Sequence, residues 1–275
     1  MRWTLSLAAA IIATVLLGAG VQAAPNSSSR LAENSAEAVV DIELVLAVDV
    51  SYSMDLDELA VQREGYAEAI VSKEFLSALK NGPHGKVAVT YFEWSAATDQ
   101  KTIIPWRIID GPETADSVAA EIMKTPIRRG SRTSISGAIN FAMQAFEENP
   151  YRGLRRVIDI SGDGANNNGE PVLVARDAAL AKGVTINGLP VMIKPVSGTD
   201  IEHLDFYYED CVIGGPGAFS VAITDRAKFK EAIRAKLILE VSDAQPSAGY
   251  VPAQAREPRV PCLAGEQLWR ERWGR

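Results

Sequence analysis

The residues with the most chemistry in them stand at the end of an apolar run. Leu44-Val45-Leu46-Ala47-Val48 is followed at once by Asp49-Val50-Ser51-Tyr52-Ser53. A carboxylate and two hydroxyls at alternate positions put three hard oxygen donors within one turn. Donors of this kind suit Mg²⁺ or Ca²⁺ rather than zinc or copper. Two further turns share the character. Gly130-Ser131-Arg132-Thr133-Ser134-Ile135-Ser136-Gly137 is rich in hydroxyls and runs into a helical pattern, and Ser161-Gly162-Asp163-Gly164 closes a second apolar run. Other catalytic sets are thin. His84 lies in a Pro-Gly turn and His203 beside Glu202 in a polar stretch, so both read as surface residues. There is no G-x-S-x-G elbow for a serine nucleophile and no C-x-x-C for thiol redox chemistry.

These turns need elements to hold them. Residues 39 to 50 read as a strand buried on both faces, because the apolar run is nearly continuous rather than alternating. Leu59, Tyr66, Ala67 and Ile70 then repeat at helical spacing over 56 to 72. Asp55, Asp57 and Glu58 crowd the start of that helix, where the macrodipole favours acids, and that suffices to explain them. Strands are expected at 86–94, 101–109, 155–160, 184–192 and 218–223. Helices are expected at 113–123, 136–147, from Pro171 to Gly183, and from Asp225 to Val241. Strands alternating with helices imply a central, mostly parallel sheet covered on both faces, an α/β three-layer sandwich. Ligands of such sheets bind at the carboxyl ends of the strands; two of the polar turns fall there, and the third is a loop entering a helix.

In that order, D-x-S-x-S after a buried strand, T-x-x-x-G-A-I at a helix start and S-x-D-G after another apolar strand resemble a von Willebrand factor type A domain over residues 39–241. The three turns resemble its metal-ion-dependent adhesion site. The resemblance implies a Rossmann-like fold and a divalent cation, Mg²⁺ first with Ca²⁺ or Mn²⁺ as alternatives. Ser51, Ser53 and Thr133 would be ligands through their hydroxyls. Asp49 and Asp163 would act directly or through water. It also implies a non-enzymatic module whose protein or peptide partner completes the coordination with an acidic group. Asp159, polar inside an apolar strand, and Ser161 are expected just behind the ligands. One departure stands out: the usual ending is S/T-D-G, and here Gly162 occupies the hydroxyl position. The whole chain, with its Y-F-E-W and D-C-V-I-G-G-P-G segments, resembles an uncharacterised group of secreted bacterial proteins.

A second reading competes. Gly162-Asp163-Gly164-Ala165-Asn166-Asn167 resembles the G-D-G-x-N-D of haloacid-dehalogenase-like phosphatases, and Asp49 ends a strand as their nucleophile does. Phosphoryl transfer there needs a second aspartate two residues on, where this chain has Ser51. It also needs a lysine upstream of the G-D-G turn, yet none occurs between Thr133 and Asp163.

Composition sets the setting. One charge, Arg2, precedes an apolar run to Gly20 and the small residues Val21-Gln22-Ala23, which reads as a secretory signal over 1–23; a membrane anchor is the alternative. Residues 24–38 read as a flexible leader. Loss of Arg2 with the signal would take the net charge from −7 to −8. Nothing in that balance invites nucleic acid. Export, to the periplasm or beyond, makes a Cys211–Cys262 disulfide the expected state of the two cysteines. It would close a loop worth roughly 4 kcal/mol in the chain-entropy model. Residues 242–275, with four prolines, read as a strap pinned by that bridge, in which Trp269 and Trp273 suggest a short helix. A partner-binding tail is the alternative there.

Overall fold

The structure is a computed structural model and describes residues 38–242 except 197 and 199, together with 251–252 and 257–274. The signal, and the leader apart from residue 38, lie outside the described residues.

The sheet is organised around β1 (Ala38–Asp49). Its alternation sends Ile42, Leu44, Leu46 and Val48 to one face and Val45 and Ala47 to the other, and all are buried. The first face is covered by α1 (Leu56–Ile70), α3 (Pro112–Lys124) and α7 (Phe229–Val241), through Leu59, Tyr66, Ile122, Ile233 and Leu237. The second is covered by α4 (Ile135–Glu147) and α5 (Val172–Ala181), through Ile139, Ala142 and Ala175. A short α2 (Lys73–Lys80) follows α1, with Ser72 Oγ accepting from Phe75 N at 3.2 Å as its cap.

The remaining strands are β2 (Val87–Trp94), β3 (Gln100–Ile109), β4 (Tyr151–Gly162), β5 (Thr185–Pro190), β6 (Phe219–Ser220) and β7 (Val251–Pro252). Their order across the sheet is β3-β2-β1-β4-β5-β6-β7. β1 pairs in parallel with both β2 and β4, while β3 and β7 are antiparallel additions at the two edges. The winding reverses between β1 and β4. A crevice opens at such a point outside the carboxyl ends of the strands, and the pairing of Val48 with Ser161 sets Asp49 and Gly162 at its lip.

After β5 the chain makes a short helix α6 (Leu204–Tyr207), continued by a wider π-type turn at Tyr208–Val212. That turn carries Cys211, which is bonded to Cys262 with Cα atoms 5.4 Å apart. The bridge brings in the strap helix α8 (Ala264–Trp273). Trp94, at the end of β2, is fully buried in the core.

Candidate metal centre

The three polar turns meet at the carboxyl ends of β1 and β4. Asp49 Oδ1 accepts from Ser51 N at 2.7 Å, an Asx-type turn that folds the chain back over the strand end. Ser51 Oγ and Ser53 Oγ are then 2.8 Å apart, and Ser53 Oγ donates to Asp163 Oδ1 at 2.5 Å across 110 residues of sequence. The Thr133 loop is drawn alongside by its backbone: Gly130 N donates to Val50 O at 2.8 Å and Ser134 N to Ser95 O at 2.7 Å. Gly130 has no room for a side chain, since a Cβ would fall 2.0 Å from Ser95 Oγ. Thr133 Oγ1 lies 3.5 Å from the point where Gly164 would carry a Cβ, so it faces the Asp163 turn. Ser51, Ser53, Thr133 and Asp163 line one cavity of about 770 Å³, and Asp49 lies buried beneath them.

Asp159 is placed differently from the expectation. It lies deeper in β4 on the face covered by α7, where Lys236 Nζ sits 2.6 Å from its Oδ1. The same ammonium donates to Glu240 Oε1 at 2.6 Å, and Glu240 Oε2 accepts from Asn187 Nδ2 at 2.6 Å. Asp159 therefore belongs to a buried ion network below the turns, because α7 brings a lysine to it that the strand sequence could not announce. Ser161 shares that face and is buried beside the Tyr66 phenol. The Gly162 departure also has a physical cause. A Cβ there would come 2.8 Å from Asp49 Oδ2 and 2.9 Å from Tyr208 Oη, so the tyrosine of the disulfide-bearing turn occupies the space.

The electrostatics are those of two carboxyls short of positive charge. Burial, and secondarily the Asp163 charge, hold the Asp49 carboxyl well above its usual range. Burial likewise pushes Asp163 up to about 6, although Ser53 and Lys194 pull the other way. Asp49 Oδ2 is fully buried and has no hydrogen-bond partner among the described residues. An orphaned buried oxygen of this kind asks for a cation or an ordered water. Nowhere among the described residues, this site included, do three or more carboxylate, imidazole or thiol groups gather as a metal cluster. The donor set is two carboxylates with three hydroxyls, which fits a hard divalent ion that keeps some of its waters.

Several residues of the site carry no motif. Asn167 clamps Thr133 from both sides, its Oδ1 accepting from Thr133 N at 3.0 Å and its N–H donating to Thr133 O at 2.8 Å. Asn166 Oδ1 accepts from Ser136 N at 3.0 Å, and Asn168 Oδ1 from Ala97 N at 2.8 Å. The three asparagines are thus the fastening between loops. Glu58, nearly fully buried, closes a capping box with Asp55 and pairs with Lys194, whose ammonium also donates to Ser53 O and lies 4.0 Å from Asp163 Oδ2. Neither partner could be found from sequence, because they stand 136 positions apart. His84 and His203 do not line the cavity.

Solved structures share this architecture at low identity. Proximal thread matrix protein 1 from the mussel byssus, in a structure with a zinc-occupied MIDAS motif, superposes with a TM-score of 0.53 at 17% identity, over 74% of this chain and 48% of that one. A von Willebrand factor type A structure from Catenulispora acidiphila gives 0.52 at 12%, over 73% and 42%. The pilus adhesin SpaC of Lactobacillus rhamnosus GG, in an open conformation, gives 0.54 at 12%, over 74% and 30%. The chain spans about half the length of the mussel protein it matches. No curated protein matches the chain. The likeness is one of fold, and the fold is that of von Willebrand factor A. A family model covers residues 39–245, and the chain belongs to the family it describes, "Protein of unknown function (DUF1194)".

Proposed function

We propose that this protein is an exported binding module in which Asp49, Ser51, Ser53, Thr133 and Asp163 hold a divalent cation, Mg²⁺ first. A protein or peptide partner is captured by an acidic group that completes the coordination. The observation that carries the reading is the contact of Ser51, Ser53 and Asp163, which gathers oxygen donors from two separate turns beside the buried Asp49 carboxylate, one of whose oxygens has no partner among the described residues. The bound cation supplies a Lewis-acidic point of attachment. The chain's own residues set how strongly it attracts an outside carboxylate. Three of the five donors are neutral hydroxyls, so two carboxylates only balance a double positive charge and leave the ion electrophilic. Asn167 fixes Thr133, and the Asx turn fixes Ser51 and Ser53, so little is reorganised on binding.

Capture rather than turnover is favoured because neither histidine lines the cavity and Ser51 stands where phosphoryl transfer would need a second aspartate. Export rests on the expected signal over residues 1–23, and the disulfide is compatible with an oxidising compartment. No helix among the described residues is long and apolar enough to cross a membrane.

The test is thermal unfolding with chelator and with Mg²⁺. The parent gains stability with the ion, and Asp49→Ala and Ser51→Ala do not; equal gains in all three would refute the site. Metal-dependent hydrolysis of small phosphoesters, abolished in Asp49→Asn, would overturn the binding reading in favour of catalysis. Retention of a periplasmic protein on the immobilised module with Mg²⁺, and its release by chelator, would identify the partner.

A further inference from the structure

The floor of the cavity belongs to the three turns, but its walls come from elsewhere. One wall is the segment after β5, with Met192, Ile193, Pro195 and Val196. Another is Trp269 of α8, which reaches the cavity from the C-terminal strap. Three ties hold it there. The Arg132 guanidinium lies 3.6 Å from the Trp269 ring centroid, within range of a strong cation–π contact. Arg132 is also the one described non-glycine residue with positive φ, at 75°, so the loop accepts strain to aim this side chain next to Thr133. Asn166 Nδ2 donates to Glu266 Oε1 at 2.8 Å, and Gly265 packs so closely that a Cβ would fall 2.1 Å from Asn166 O. The third tie is the Cys211–Cys262 bond.

The geometry points to the strap as part of the binding site, in a pocket that takes a peptide carboxylate borne beside a large apolar side chain. The inference deepens the metal-dependent reading above and rests on it. A cavity of about 770 Å³ is in the range that encloses a whole side chain or small ligand. A bare carboxylate would leave most of it to water against apolar walls. Arg132 lines the cavity and favours an anion there, whereas the Lys194 ammonium is already paired with Glu58. Asp200 and Glu202 also line the cavity and disfavour a run of acids, so a single carboxylate is the fit. Tyr52 and Val196 extend the apolar surface outwards, 62% and 56% exposed, which suits a polypeptide continuing past the pocket rather than a free small acid.

The experiment uses the full exported chain with its disulfide intact. Mg²⁺ affinity is first measured by calorimetry without any peptide. Three probes are then titrated in saturating Mg²⁺: acetyl-Asp-Phe-amide, acetyl-Asp-Gly-amide and acetyl-Asn-Phe-amide. The expected order is Asp-Phe at least tenfold tighter than Asp-Gly, with Asn-Phe weakest and chelator abolishing all binding. Trp269→Ala is expected to bring Asp-Phe down to the Asp-Gly level while Mg²⁺ affinity stays within twofold. Val196→Asp, on the wall after β5 and exposed, guards against a folding artefact and is expected to weaken Asp-Phe at least tenfold with Mg²⁺ affinity unchanged. If the parent binds no Mg²⁺, the metal reading falls and takes this one with it. If Mg²⁺ binds but Asp-Phe and Asp-Gly bind equally, or both variants retain parental Asp-Phe affinity, this inference alone is overturned.

Discussion

Asp163→Asn separates what the buried carboxyls do for binding from what they cost the fold. In the metal-free protein Asp163 is raised from an ordinary 3.8 to about 6 by burial. At about 1.4 kcal/mol per pH unit, keeping it ionised well above pH 6 costs the fold about 3 kcal/mol. The sign follows from proton uptake. Between about pH 4 and 6 the folded protein holds a proton here that the unfolded chain has lost, so this group's contribution becomes more favourable as pH falls through 6. Asparagine removes the charge and keeps an acceptor near Ser53, at a loss of about 1 kcal/mol for the weaker hydrogen bond. The variant should therefore be about 2 kcal/mol more stable than the parent in chelator at pH 7.5. For a domain of this size that raises Tm by about 4–8 °C. Mg²⁺ reverses the order. At a hundredfold excess over Kd it gives the parent about 2.7 kcal/mol and the variant almost nothing. Scanning calorimetry with chelator and with Mg²⁺, at pH 7.5 and 5, reads all of this, and the chelator gap should narrow to about 0.6 kcal/mol at pH 5. An Asp163→Asn protein less stable than the parent in chelator at pH 7.5, or one with the parent's Mg²⁺ gain, would refute the argument.

Three other outcomes follow from the packing. Lys236→Met leaves Asp159 and Glu240 facing each other without their shared ammonium and should cost about 3–5 kcal/mol in urea unfolding at pH 7.5. Asp159 takes up a proton at about pH 6 with the ammonium beside it and at a higher pH without it, so that loss should shrink as pH falls towards 6 and level off below it. Asn167→Ala removes the side-chain half of the Thr133 clamp and should weaken Mg²⁺ binding by about 10–100-fold, measured calorimetrically, with the far-ultraviolet spectrum unchanged. Gly162→Ser restores the usual hydroxyl of the resembled motif, yet its Cβ meets Asp49 and Tyr208. It should lower stability by about 1–3 kcal/mol, and a gain in Mg²⁺ affinity would contradict the packing described here.

What could be read from sequence was whatever local pattern dictates. The unbroken apolar run of β1 marked it as a strand buried on both faces, and the spacing of Asp49, Ser51 and Ser53 put their oxygens on one turn. The helix expected over 56–72 ends at Ile70, and α2 was not anticipated, since Ser72 looked like a continuation rather than a cap. β4 starts at Tyr151 rather than 155, because exposed Arg152 and Leu154 and the intervening Gly153 hide its early residues. The short helix at 204–207 and its π-type extension had no periodic signal. Long-range partners were beyond reach: Lys236 for Asp159, Lys194 for Glu58, and the strap's Trp269 for Arg132. The asparagine row at 166–168 looked like a loop or a borrowed catalytic motif, and its role appears only once the loops it fastens are in place.

The twofold parallel pairing of β1 has a consequence for how the protein breathes. A strand hydrogen-bonded on both flanks opens only when the whole sheet does, so the amides leading to Asp49 belong to the slowest class of hydrogen exchange. The last helix is tied on through one covalent link and a few side chains, and its amides should trade protons long before those of the central strand. The face at the strand ends thus pairs a slow-exchanging centre with a margin whose local opening costs less.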